Sequence, residues 1–293
     1  RFFDLLARYR QRFAYSHATT EDFVAVAEEV WGGSMRWFFD PWVYGIGAPT
    51  YNWGWTTTTV NGKPYLLLSL RQTQPSNYGL YTMPIGLRLT MGSQTQDLRI
   101  WNSAQTQYYV IPTPSPVSNL AFDPDDWILK GASNSEAYRP GPPVIVEMNP
   151  APGVQTTPPS QIDLYFQTPV AINASHVSLE GATTGVVSFS FAYDSAAQRA
   201  RLTFSTPLKP DQYTLRLSPS ITALNSGLAL DGEFFGDLPS GDGIPGGEAV
   251  IPLRVLAATG DVDGNGCVDD ADLLQVLFAF GETGALPADT NGD

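Results

Sequence analysis

The sequence predicts a multidomain, mainly β protein: a short helical segment in front, two β-sandwiches behind it, and an acidic loop and helix at the end. Three observations carry this prediction. Apolar residues recur at helical spacing only in residues 1–50. From residue 51 to 257 they alternate in short runs broken by Gly, Pro, Asn and Asp. Residues 261–293 then change to regularly spaced carboxylates around an apolar helix.

Composition narrows the function classes. A chain of 293 residues with 43% hydrophobic content can bury more than one core. The net charge of −13 is uneven, because residues 261–293 hold eight carboxylates and neither Lys nor Arg, and so contribute −8 of it. Such concentration points to a cation site. No basic patch is available to neutralise phosphates, which argues against nucleic acid as a partner. Cys267 is the one cysteine, so no disulfide forms within the chain. The apolar runs fall far short of the ~18 residues that a membrane-spanning helix needs. The chain opens at Arg1 inside an amphipathic pattern and stops at Thr290-Asn291-Gly292-Asp293, which reads as an internal piece of a longer protein.

In the helical front, Phe2, Leu5, Leu6, Tyr9 and Phe13 share one face. Thr19-x-x-Asp22 is spaced as a capping box for a second helix through Phe23, Val26, Ala27 and Val30, which stops at Gly32-Gly33. Ser34 begins a shorter helix through Trp37 and Phe38, with Pro41 near its end.

The first sandwich is expected over 51–130. Asn61-Gly62 between Thr56–Val60 and Tyr65–Leu70 is a strong hairpin signal. Further strands are expected at Ile85–Thr90, Leu98–Trp101 and Tyr108–Ile111, with Trp127–Leu129 closing the module after the Asp123-Pro124-Asp125 turn. Residues 131–150 read as a Pro- and Gly-rich linker that runs into a strand at Val144–Met148. From 151 to 257 the alternation of Ile162-Leu164-Phe166, Val187-Phe189-Phe191, Leu202-Phe204 and Tyr213-Leu215-Leu217 predicts the second sandwich.

Asp261, Asp263 and Asn265 take positions 1, 3 and 5 of a twelve-residue loop, with Gly266 at the sharp turn. Cys267 offers its carbonyl at position 7, Asp269 stands at 9 and Asp272 closes at 12. This spacing wraps oxygens around one calcium ion, as in an EF-hand, with Asp in place of the usual closing Glu. The helix that follows carries Leu273, Leu274, Val276, Leu277, Phe278 and Phe280, and is expected to bury itself against something. Asp289, Asn291 and Asp293 repeat positions 1, 3 and 5 and form a possible second, partial site. Segment 261–293 resembles a type I dockerin, truncated before its second helix. The resemblance implies calcium-dependent folding and a cohesin-like module or cell-surface protein as partner.

The front resembles the end of the catalytic region in aminopeptidase-N-like zinc metallopeptidases, the gluzincins. The carrying residues are Phe3-x-x-Leu6-x-x-Tyr9, Thr19-Thr20-Glu21-Asp22-Phe23, Trp37-Phe38-Phe39-x-x-Trp42-Val43 and Gly47-x-Pro49. Leu66–Gln74, Pro84-Ile85 and Asp123-Pro124-Asp125 continue the match. The resemblance implies that residues 1–50 close a thermolysin-like helical domain and that 51–130 form the sandwich after it. Its zinc chemistry needs two His on one helical turn with a Glu between them. This chain has only His17 and His176, so catalytic residues and zinc are expected only upstream of Arg1. Segment 151–257 resembles bacterial Ig-like domains through Phe166-x-x-Pro169-Val170 and Leu208-x-Pro210-x-x-Tyr213.

Two weaker features remain. Trp31, Trp37, Trp42, Trp53 and Trp55 read as core at a domain junction before a sugar-stacking or substrate groove. Asp237 and Asp242 in a Gly- and Pro-rich loop read as a turn before a second calcium site. The expected function is the non-catalytic, carboxy-terminal portion of a secreted metallopeptidase, with Ig-like and calcium modules for attachment or assembly. The alternative is a non-enzymatic, calcium-stabilised cell-surface or extracellular assembly protein, in which the sandwiches support self-association.

Overall fold

Helical periodicity at the front is realised in α1 (Phe2–Phe13) and α2 (Thr20–Trp31). The capping box forms as spaced: Thr19 Oγ1 accepts from Asp22 N at 3.2 Å, and the Asp22 carboxylate accepts from Thr19 N at 2.7 Å. Gly32 ends α2 at φ 89°, a left-handed conformation that costs glycine little. Leu5, Val24, Val26, Ala27 and Phe39 form the helical core, joined by Tyr9, Phe13 and Phe23. The third helix departs from expectation. α3 (Arg36–Phe39) does not stop at Pro41 but runs on into a π-helical turn, Asp40–Tyr44. Pro41 lies in the first turn of that segment, where its missing N–H interrupts the α-helical ladder at the change to π-helical spacing.

The computed structural model describes residues 1–256, Gly260, Val262 and 268–280. The chain divides into two units. The first is Arg1–Trp55, Leu68–Gln107 and Val117–Arg139; the second is Thr56–Leu67, Tyr108–Pro116 and Pro140–Asp293. Strands β1 (Thr50–Val60) and β2 (Lys63–Gln72) flank Asn61-Gly62 and run through both, so the expected 51–130 module is shared between the units. Asn61 and Gly62 stand at φ 48° and 76°, the pair of left-handed residues that a two-residue hairpin turn requires.

In the first unit, β3 (Met83–Met91) and β4 (Gln94–Asn102) pair antiparallel from Met83↔Asn102 to Met91↔Gln94. After β5 (Thr106–Pro112), strand β6 (Asn119–Phe122) joins the other edge of β3. Alternation puts Met83, Ile85, Leu87, Leu89 and Met91 inside and leaves Arg88 outward. A buried amide chain crosses this core: Gln72 Nε2 donates to Asn102 Oδ1 at 2.6 Å, and Asn102 Nδ2 to Gln107 Oε1 at 3.1 Å. The expected strand at Trp127–Leu129 is absent. Asp123, at φ 47°, accepts from Trp127 N and Ile128 N and winds the chain into a turn, leaving Trp127 and Leu129 exposed. The next strand is β7 (Ala132–Ser135), parallel to β1 from Thr50↔Ala132 to Trp53↔Ser135.

The second unit holds β8 (Ile145–Asn149), β9 (Gly153–Gln155), β10 (Gln161–Phe166), β11 (Val170–Ala171), β12 (Val177–Gly181), β13 (Gly185–Val186), β14 (Ser190–Asp194), β15 (Arg199–Thr203), β16 (Asp211–Leu217), β17 (Thr222–Ala223) and β18 (Ala249–Val255). One sheet has the order β14-β15-β10-β8 and another β13-β12-β16-β18-β9; β11 and β17 pair separately. Ile162, Leu164 and Leu202 of the first sheet share one core with Leu179, Leu215 and Ile251 of the second, which makes a sandwich. The strand expected at Val144–Met148 forms as β8, with Val144, Ile145, Val146 and Met148 buried, whereas the linker expected ahead of it holds β7. His176 lies in a 3-10 turn, Ala174–His176, not in a strand.

The last described element is α4 (Asp270–Ala279). Leu273, Leu277 and Phe278 stay exposed among the described residues, so the burial expected of this helix is not met by them. No helix among the described residues is long and apolar enough to cross a membrane.

Candidate functional site

Of the residues expected to bind calcium, Asp269 and Asp272 are described. Asp261, Asp263, Asn265, Cys267, Asp289, Asn291 and Asp293 lie outside the described residues. Asp269 is the N-cap of α4, where its Oδ1 accepts from Ala271 N at 2.9 Å. Asp272, 2% exposed, accepts from Val262 N at 2.6 Å through Oδ1 and from Asp269 N at 2.8 Å through Oδ2. One carboxylate therefore ties the start of the acidic segment to the first turn of α4. The helix dipole favours both negative charges at that end.

A second acidic group forms in the second unit, in the long connection between β17 and β18. Carboxylate oxygens of Asp231, Glu233 and Asp242 lie within 4.8 Å of one another. Asp231 is 2% exposed, and its two oxygens accept from Asp242 N and Gly243 N, each at 2.9 Å. Glu233 Oε2 is buried without a hydrogen-bond partner. Two glycines make the room. A Cβ at Gly241 would fall 2.3 Å from the Asp231 carboxyl carbon, and one at Gly247 would fall 1.8 Å from Glu233 Oε1. Burial, and then the neighbouring Glu233 carboxyl, push the Asp231 carboxyl up to about 8. Carboxylates gathered this way are the donor set of a hard divalent cation; with no cation, one of them takes up a proton.

This arrangement revises the sequence reading of the loop. Asp242 does join a carboxylate cluster, but with Asp231 and Glu233, whereas Asp237 stays exposed outside it. Asp231 and Glu233 were not legible because they precede Asp242 by about ten residues at no motif spacing. The signal that was present is the glycine at each carboxylate. Neither histidine joins a metal-capable group among the described residues. His17 is exposed, and His176 Nδ1 accepts from Asn173 N at 3.2 Å as part of a turn. Trp37 packs edge-on against Trp101 at 5.4 Å, and Trp53 stacks on Phe122 at 5.5 Å, but Trp37, Trp42, Trp53 and Trp55 are only partly buried and Trp31 is exposed, short of the core placement expected of them.

The sandwich and its connections define the class of this part. Residues 140–234 match the family of bacterial Ig-like domains. The match begins ahead of residue 151, where the sequence placed the module, and so takes in β8. Among solved structures, PcoC, a methionine-rich copper resistance protein from Escherichia coli, is similar over 40% of this chain and 99% of its own, at 14% identity and a TM-score of 0.26. No curated protein matches the chain.

Proposed function

We propose that this chain is the non-catalytic, carboxy-terminal portion of a secreted modular protein, in which an Ig-like domain carries a calcium-binding tail for attachment or assembly. The observation that carries the proposal is the Asp272 carboxylate, buried and bonded to Val262 N and Asp269 N, which ties Val262 to the first turn of α4. In the calcium loop read from the spacing, the same carboxylate at position 12 would turn to the cation. In this reading the tail is dockerin-like, and the exposed Leu273, Leu277 and Phe278 supply the apolar face for a cohesin-like or cell-surface partner. The parent is an aminopeptidase-like zinc metallopeptidase, a reading supported by the order of residues over 1–130 and by the helical front. Zinc and hydrolysis then belong to another part of that parent.

Calcium titration tests the metal. In a chelator, adding calcium is expected to raise helical circular dichroism and the melting temperature of the tail, because binding couples to ordering of the loop. At a hundredfold excess over Kd the gain is about 2.7 kcal/mol. Asp272→Ala should weaken this response about tenfold, as loss of a ligand or of its support does. Identical melting curves with and without calcium would remove the tail from the reading. Sequence upstream of Arg1 tests the parent: a His-Glu-x-x-His helix supports the peptidase, and further Ig-like repeats in its place support a non-enzymatic assembly protein.

A further inference from the structure

The first unit carries a groove of ≈ 730 Å³, within the range of about 300–1,000 Å³ typical of ligand sites. Its walls include Phe38, Trp42, Trp127 and Leu129. Three of these leave much apolar surface open: Phe38 is 38% exposed, Trp127 80% and Leu129 72%. Such a patch marks a surface that something covers. The floor is low because Gly86 stands opposite Arg99 in the β3–β4 register. The nearest atom to a Cβ placed at Gly86 is Pro124 Cδ, at 4.0 Å, so space beside Arg99 is open.

The charges around the groove decide what fits it. Arg88 grips Asp97 through two bonds of 2.7 and 2.8 Å and reaches Asp125 at 3.5 Å. Asp123 is taken up by Lys130 and by the main-chain N–H groups of Trp127 and Ile128. Each lining carboxylate is thus within reach of a cation, Asp97 and Asp125 sharing Arg88 and Asp123 meeting Lys130. Arg99 is exposed and forms no ion pair or side-chain hydrogen bond among the described residues. The groove thus offers one uncommitted guanidinium beside apolar walls.

We propose that this groove binds the carboxyl-terminal end of an apolar peptide, with the terminal carboxylate on Arg99 and the last side chain over Trp127 and Leu129. A guanidinium fork matches a carboxylate in two parallel hydrogen bonds. The last residue of a peptide carries that carboxylate and its apolar side chain on one carbon, which is the combination the groove presents. A neutral saccharide would stack on the indole but leave Arg99 unanswered. An inorganic phosphate would answer Arg99 but leave the apolar walls uncovered.

The test uses the full chain and two probes, Gly-Leu-Phe with a free carboxylate and its carboxyl-terminal amide, followed by calorimetry and tryptophan fluorescence. The free acid is expected to bind, and amidation to weaken binding about tenfold, the loss of one charge-assisted pair. Arg99→Gln should abolish the difference between acid and amide. Trp127→Ala should weaken both probes while that difference persists. Both residues are exposed, so melting curves of the variants should overlay those of the parent. Equal affinity for acid and amide, no binding of the acid at millimolar concentration, or an acid preference that survives Arg99→Gln would each overturn the proposal.

Discussion

Asp163→Ala is expected to cost the Ig-like sandwich about 3 kcal/mol, the penalty for breaking a buried pair by removing one partner. Asp163 lies on β10, 2% exposed, directly opposite Arg201 of β15. The guanidinium meets the carboxylate twice, at 2.6 and 2.7 Å, and the bonds to that carboxylate raise the pKa of Arg201. Without Asp163, Arg201 keeps its charge and loses both of its bonds to that carboxylate. Its side chain is 34% exposed, so water recovers part of the loss and the figure sits at the low end for buried pairs. Replacing both residues with Leu and Met should restore much of the stability, because desolvation and attraction vanish together. Urea denaturation of the two variants measures this. A single-variant loss below about 1 kcal/mol would place the pair with ordinary surface salt bridges.

Asp231→Asn is expected to act in the opposite direction. In a chelator at pH 8, removing this buried carboxylate should stabilise the second unit by about 2 kcal/mol. The sign follows from proton linkage. The unfolded carboxyl titrates near 3.8, whereas burial and Glu233 push the folded one up to about 8. Between those values the folded chain binds more protons than the unfolded chain. Stability therefore falls as pH rises from about 4 to about 8, and is fully present only below that window. Asparagine stays neutral throughout, keeps one of the two main-chain bonds through its oxygen and gives up the other, and should flatten the profile. Thermal melts across that window provide the measurement. A flat profile in the parent protein would mean that Glu233 and Asp231 are kept apart or solvated.

These two aspartates show what the sequence disclosed and what it hid. Local signals were legible because they act over a few residues: the Thr19–Asp22 box, the Gly32 stop, the Asn61-Gly62 turn and the alternation of β3 all formed. Alternation also marked β10, β15 and β16, though not their partners. What failed depended on distant contacts. Trp127–Leu129 has strand composition, yet the Asp123 carboxylate takes its main-chain N–H groups first. The strand expected at Val144–Met148 formed, but the stretch before it, read as linker, holds Ala132–Ser135, which pairs with β1 far back in the chain. The acidic cluster needed a loop to fold back on itself, so Asp231 and Glu233 carried no linear signature beside Asp242. In the tail, Asp272 was named from its place in the loop, while its bond to Val262 N reflects three-dimensional closure.

The pairing of β9 with β18 has a mechanical consequence. Leu253↔Gly153, Arg254↔Val154 and Val255↔Gln155 run parallel, with β9 near the entry to the sandwich and β18 at its exit. Tension that reaches β9 from its amino-terminal side and β18 from its carboxy-terminal side pulls the two strands in opposite directions along their axes. The bonds between them are then strained together in shear, not opened one after another as in a zipper. A module anchored at one end and loaded at the other resists stretching best in this geometry.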